Sequence, residues 1–140
     1  MKKINVVAAI IEKDGKYLAA ERGYGEFEGK WEFPGGKIKS GETFGNSLKR
    51  EIYEEMHADI NLKDFVCTVE YSYPDFDLVM HCFLCSLNDS DVSMVYHDVN
   101  HLEHKTYKWL EHEDLMTVDW LPADVLAINK LDFYLKKERA

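Results

Sequence analysis

Residues 36–58 read GKIKSGETFGNSLKREIYEEMHA, and within them Thr43 to Met56 predicts a helix. Phe44, Leu48 and Ile52 recur every fourth residue and make one apolar stripe. Thr43 or Ser40 is placed to cap the start. Glu51, Glu54 and Glu55 stand three and four apart, so on a helix they share a face. Each like-charge pair at this spacing costs about 0.3 kcal/mol in an isolated helix. Three glutamates alone are compatible with an ordinary acidic, solvated face. By themselves they fit that bland reading better than a face for hard cations, although Mg²⁺ does take carboxylate and water oxygens and shares itself with substrate phosphates. The flanking residues favour the second reading. Gly35-Gly36 follows a short strand and lets the main chain approach an ion or a phosphate closely. Glu42 and Arg50 add an opposite-charge pair that ties the loop to the helix.

On the N-terminal side, Ile4–Ile11 and Lys16–Glu21 read as strands around Asp14-Gly15, a hairpin signal. A Gly-rich stretch from Gly23 to Gly36 encloses a short strand at Trp31-Glu32-Phe33-Pro34. On the C-terminal side, Phe65–Tyr73 and Leu78–Leu87 read as strands joined by a turn, Pro74-Asp75-Phe76-Asp77. Residues 88–100 are polar and weakly patterned, a mix of loop and edge strand. Thr106–Leu110 predicts a strand and Glu111–Met116 a helical turn. Ala123–Lys137 predicts a second helix, with Pro122 at its start and Val125, Ile128, Leu131 and Leu135 inward. No repeat, low-complexity tract or linker interrupts the chain. The expectation is one domain over 1–140, of α+β class, with a mixed sheet and two packed helices.

The chain has 140 residues, 46% hydrophobic and 31% charged, with a formal net charge of −9. Such acidity disfavours nucleic-acid polymers and anionic membranes. It leaves open a small polyanion held through divalent cations. Cys67, Cys82 and Cys85 are odd in number and carry no disulfide framework. Cys82 and Cys85 fall on one strand three apart, so their thiols face opposite sides and share no metal. Met1 to Ile11 is basic then apolar, but it is short, β-branched and followed at once by Glu12, Lys13 and Asp14. It reads as a first strand, not a signal peptide. Nothing approaches the roughly 20 apolar residues of a membrane span. The expected location is cytoplasmic.

Gly36, Glu42, Arg50, Glu51, Ile52, Glu54 and Glu55 fall at the spacings of the Nudix box, G-x5-E-x7-R-E-U-x-E-E-x-G-U with U bulky and apolar. Trp31 to Ile38 resembles the MutT-like branch of that family. Two positions depart: His57 replaces the last Gly and Ala58 a bulky apolar residue. That Gly supports a left-handed cap, which His can adopt at a cost of about 1 kcal/mol. The departure therefore reads as structural. The resemblance implies a Nudix-like α/β/α sandwich and a Mg²⁺-dependent hydrolase, with Mn²⁺ as the alternative ion. It implies metal ligation by Glu55, Glu54, Glu51 and the Gly35 carbonyl. Arg50 would orient the glutamates and Glu42 would brace the loop. A further carboxylate from a distant loop is expected as ligand or base. Glu103 is the candidate, against the alternative of an exposed loop residue. His101 and His104 read as surface histidines, since carboxylate sites do not need nitrogen donors.

For the substrate, Arg22 matches a position that contacts phosphate or base in MutT-like enzymes, and Lys37 could meet a phosphate. Phe33 and Tyr73 suit either base stacking or the core. Leu121-Pro122-Ala123-Asp124 resembles the P-A-D of CTP pyrophosphohydrolases more than the P-A-N of guanine-selective enzymes. A carboxylate only accepts hydrogen bonds and so suits an exocyclic amino group such as cytosine N4. Alternatively Asp124 caps the second helix. The expected activity is nucleoside triphosphate pyrophosphohydrolysis, with CTP, dCTP or a modified pyrimidine triphosphate favoured. An 8-oxo-dGTP triphosphatase, an ADP-ribose or nucleotide-sugar hydrolase and a catalytically silent nucleotide sensor are the alternatives. The partner is a small nucleotide, and the chain is expected as monomer or homodimer.

Overall fold

A computed structural model describes residues 1–88 and 104–139. Glu103 and His101 lie outside the described residues. Among these residues the chain forms β1 (Lys3–Lys13), β2 (Lys16–Arg22), β3 (Trp31–Glu32), β4 (Gly35–Lys37), α1 (Phe44–Met56), β5 (Ile60–Ser72), β6 (Asp77–Leu87), β7 (His104–Glu111), a 3-10 helix (His112–Thr117) and α2 (Pro122–Glu138).

β1 organises the sheet. It runs parallel to β6 along its length, from Lys3 opposite Asp77 to Ile11 opposite Cys85. Its first half also pairs antiparallel with β4, and its end turns into β2. Asp14 and Gly15 both have positive φ, 52° and 78°, which is the backbone a two-residue hairpin demands. β2 continues to β3 on one side and β7 on the other, and β6 pairs with β5.

A strand buried on both faces reads as a continuous apolar run, and Val7 to Ile11 is one. Ala8 and Ile10 face a core shared with Ala127, Ile128 and Leu131 of α2. Val7, Ala9 and Ile11 face a second core with Leu48, Ile52 and Met56 of α1. The sheet is thus mixed and lies between the two helices, the α/β/α arrangement expected. Cys82 belongs to the first core and Cys85 to the second, so the two thiols do face apart. All three cysteines are free.

Several local expectations need correction. β5 starts at Ile60, five residues before the anticipated Phe65, because Ile60 to Leu62 keep pairing with Leu87 to Cys85. The buried stripe of α1 is Leu48, Ile52 and Met56. Complete burial of Leu48 and Ile52 contributes roughly 2 kcal/mol apiece. Phe44 is left half-exposed and stacks on His81, with ring centroids 4.1 Å apart. Its place in the first turn carries it past the edge of the core. Val125 and Leu135 of α2 are only partly buried. Thr43, not Ser40, caps α1, its hydroxyl accepting from the Asn46 N–H at 3.1 Å.

Candidate active site

The turn from β4 into α1 is built by close contact. A Cβ on Gly35 would lie 2.0 Å from the Val7 carbonyl oxygen, and one on Gly36 would lie 2.1 Å from Glu51 Oε2. The first glycine is required by the neighbouring strand, the second by a carboxylate of the helix. His57 ends α1 in the left-handed region, φ 54°, with its N–H donating to the Tyr53 carbonyl at 2.8 Å. It takes the backbone role anticipated for the missing glycine.

Arg50 sits at the centre of the box. Its Nε donates to Glu42 Oε2 at 2.6 Å and its Nη2 to Glu42 Oε1 at 3.0 Å, a two-pronged pair. Nη1 donates to Glu51 at 2.8 Å and to Glu54 at 3.0 Å, and Nη2 to the Lys37 carbonyl at 3.1 Å. The guanidinium and the Lys39 N–H hold the Glu42 carboxyl down to about 2. Burial raises Glu51 above the ordinary glutamate range, with Glu54 and Glu55 adding to the rise and Arg50 opposing it.

Glu55 points elsewhere. Its Oε2 accepts from the Tyr107 hydroxyl at 2.8 Å and meets His104 Nδ1 at 2.5 Å. Its Oε1 is buried with no hydrogen-bond partner. The three box glutamates therefore share a helix but not one direction: Glu51 and Glu54 turn to Arg50, Glu55 to β7. Among the described residues, the carboxylates that do gather within 4.8 Å of one another, Glu111, Glu113 and Asp114, are an exposed group at the end of β7 and the start of the 3-10 helix.

His104 is not the surface histidine expected. It is 3% exposed, and its Nε2 meets Glu32 Oε2 at 2.8 Å on the other side. Neutral imidazole has one N–H, so donation to both carboxylates requires both ring nitrogens to be protonated. Burial disfavours that charge, yet the two glutamates outweigh it and raise His104 to about 10. Glu32 in turn accepts from Arg22 Nη1 at 2.9 Å. Burial works against its charge, but His104 and Arg22 together lower it below the usual range. Arg22 Nε is buried without a partner.

A cavity of about 490 Å³ opens beside this network, a size that suits a small ligand. Gly35, Gly36, Lys37, Glu51, Arg22, Phe33, Tyr73 and Asp124 line it, so most sequence candidates converge there. Glu54 and Glu55 are not among its walls. Phe33 packs on Trp120 at 4.8 Å, and Tyr73 lies on Phe76 at 5.2 Å, so both aromatics serve core and cavity at once. Asp124 does not cap α2, whose cap residue is Leu121. Its Oδ1 accepts from the Phe33 N–H at 2.9 Å. Burial, reinforced by the charge of Glu32, pushes Asp124 well above the usual carboxylate range and so favours its neutral form.

Sequence reasoning missed Glu32, His104 and Tyr107. The signal for Glu32 lay in plain view, in the segment that carries the family likeness. His104 faces inward because it ends the pairing of β7 with β2, opposite Arg22.

The NUDIX domain family matches residues 1–133. The chain belongs to the Nudix family. This Nudix hydrolase is 32% identical over 126 residues to the CTP pyrophosphohydrolase of Escherichia coli, covering 89% of this chain and 88% of that one. It is 34% identical over 85 residues to the 8-oxo-dGTP diphosphatase of Proteus vulgaris, covering 59% and 76%. Among solved structures, the E. coli ORF135 protein superposes with a TM-score of 0.78 at 30% identity, over 99% of this chain and 94% of that one. The MutT protein of methicillin-resistant Staphylococcus aureus 252 superposes at 0.71 with 38% identity, over 96% and 99%. No helix among the described residues is long and apolar enough to cross a membrane.

Proposed function

We propose that this Nudix hydrolase is a nucleoside triphosphate pyrophosphohydrolase that prefers CTP, dCTP or a modified pyrimidine triphosphate. The observation that carries the reading is that Asp124 shares one cavity with Gly35, Gly36 and Glu51. A base-reading group and a phosphate-side wall are thereby within reach of one nucleotide.

The donor types suit a divalent ion, and of the donors Glu51 and Gly35 border the cavity while Glu54 turns to Arg50 and Glu55 to β7. The set is all oxygen, which matches Mg²⁺. Glu55 Oε1 is a buried carboxylate oxygen with no partner, and Gly36 leaves the Glu51 carboxylate room that a side chain would fill. Glu51, Glu54, Glu55 and the Gly35 carbonyl would hold the ion, with Mn²⁺ as the alternative. When bound, the ion supplies charge neutralisation on the phosphates and a more acidic attacking water. Arg50 orients Glu51 and Glu54, and Glu42 braces the loop against it. Arg22 and Lys37 supply positive charge toward the phosphates, the buried Arg22 Nε being an unused donor. Phe33 and Tyr73 wall the base. Glu103, outside the described residues, remains the proposed extra carboxylate.

The raised Asp124 changes the base argument. A neutral carboxyl both donates and accepts. It fits cytosine, accepting from N4 and donating to N3. It fits the N1–H and O6 edge of an oxidised guanine as well, which supports 8-oxo-dGTP as the second reading. The test is a panel of CTP, dCTP, 8-oxo-dGTP, dGTP and ADP-ribose with Mg²⁺, with products identified. A monophosphate plus pyrophosphate, fastest from a cytosine nucleotide, is expected. Preference for 8-oxo-dGTP installs the second reading, and cleavage of ADP-ribose alone overturns both.

A further inference from the structure

We infer that His104 and Tyr107 are positioning residues that fix Glu55 for cation binding, and that His104 joins this grip mechanically to the nucleotide cavity through Glu32. The inference rests on Glu55 being a cation ligand, as proposed above.

Both partners grip the same oxygen. Tyr107 donates to Glu55 Oε2 at 2.8 Å, and His104 Nδ1 meets that atom at 2.5 Å. The other oxygen, Oε1, stays buried and unshared. A carboxylate pinned at one oxygen has its remaining oxygen aimed without losing side-chain freedom at the moment of binding. Both grips come from β7, and β7 is held to β2 from Lys16 opposite Glu111 to Arg22 opposite His104. Glu55 is therefore fixed against the sheet rather than by its own helix.

The imidazole has a second contact, Nε2 to Glu32 Oε2 at 2.8 Å. Glu32 lines the cavity, while Glu55 does not. His104 is thus a short rigid bar between a cavity wall and the box, whereas Tyr107 meets the box at Glu55 and does not line the cavity. That asymmetry gives the two residues separable effects. Loss of Tyr107 loosens the cation site. Loss of His104 loosens the cation site and frees Glu32 together.

The test is a Mn²⁺ titration of the full chain, with free ion read by electron paramagnetic resonance, which needs no turnover. Y107F, H104Q, E32Q and E55Q are compared with the unaltered protein, and KM for CTP is measured beside it. H104Q is expected to weaken Mn²⁺ binding about tenfold, a typical loss for a ligand's supporting partner. Y107F is expected to weaken it to a smaller degree, with KM unchanged. E32Q should raise KM and weaken Mn²⁺ binding less than H104Q does, and H104Q should move both. A melt in EDTA shows whether H104Q folds, and where it does not, Y107F decides by itself. Unaltered Mn²⁺ affinity in the folded variants overturns the inference. E55Q binding Mn²⁺ as tightly as the unaltered protein removes the ligand role of Glu55 itself, and the inference with it.

Discussion

Gly36 and Glu51 are so close that a β-carbon on the glycine would stand 2.1 Å from the carboxylate oxygen Oε2. The fourteen residues between them in sequence are spanned by one loop and two turns of α1. The contact therefore ties the main chain of β4 to the acidic face of the helix, whereas the neighbouring Gly35 is required by the backbone of β1.

G36A should keep the fold, because the clash is with the far end of a side chain. It should cost at least tenfold in kcat/KM, about 1.4 kcal/mol of transition-state stabilisation. G35A meets backbone, the Val7 carbonyl at 2.0 Å. It should cost about 2 kcal/mol of stability, the usual scale for overpacking, and lower the melting temperature by several degrees. Thermal melts and steady-state kinetics on the two variants separate the roles. Equal melting losses would contradict the distinction.

R50K keeps the charge but loses the fork that spans Glu42, Glu51, Glu54 and the Lys37 carbonyl. The expected result is a tenfold or greater fall in kcat/KM with a melting temperature a few degrees lower. Full activity in R50K would show that Arg50 does not orient the glutamates.

Legibility in the sequence followed range. The hairpin at Asp14-Gly15, helix α1, its left-handed end at His57 and the opposed thiols of Cys82 and Cys85 are set by neighbours a few residues apart. The spacing of Gly36 to Glu55 carried the family, and the convergence of Arg22, Lys37, Tyr73 and Asp124 on one cavity followed from that likeness. His104 could not be read the same way. Its partners, Glu55 and Glu32, are 49 and 72 residues distant, and only the pairing of β7 with β2 turns the ring inward. The direction of Glu55 was hidden for the same reason. Helical spacing places three glutamates on one face, but partners on β7 draw one of them away.

His104 is raised to about 10, against an ordinary value of 6.5. Its charged form is favoured by the folded state, so its contribution to stability is complete below about pH 6.5 and is lost as pH rises through 10. Urea denaturation in EDTA should show falling stability from pH 7 to pH 10. H104Q should be flatter over that interval. A wild-type curve that rises over it would contradict the assignment.

Asp124 is an acid with a raised value, so the folded protein keeps a proton that the unfolded chain releases above about pH 3.8. Its presence makes stability decline as pH climbs past that point. D124N removes the decline. The melting temperature of D124N relative to wild type should therefore become more favourable from pH 4 to pH 8. A difference that stays constant with pH would show that Asp124 is ionised in the fold.

The most direct measurement is product analysis after incubation of the purified chain with CTP and Mg²⁺, beside E55Q and E51Q. The account predicts CMP and pyrophosphate, with turnover at least a hundredfold lower in both variants. If no nucleoside triphosphate is cleaved faster by the unaltered chain than by E55Q, the carboxylates of α1 do not serve the reaction assigned to them.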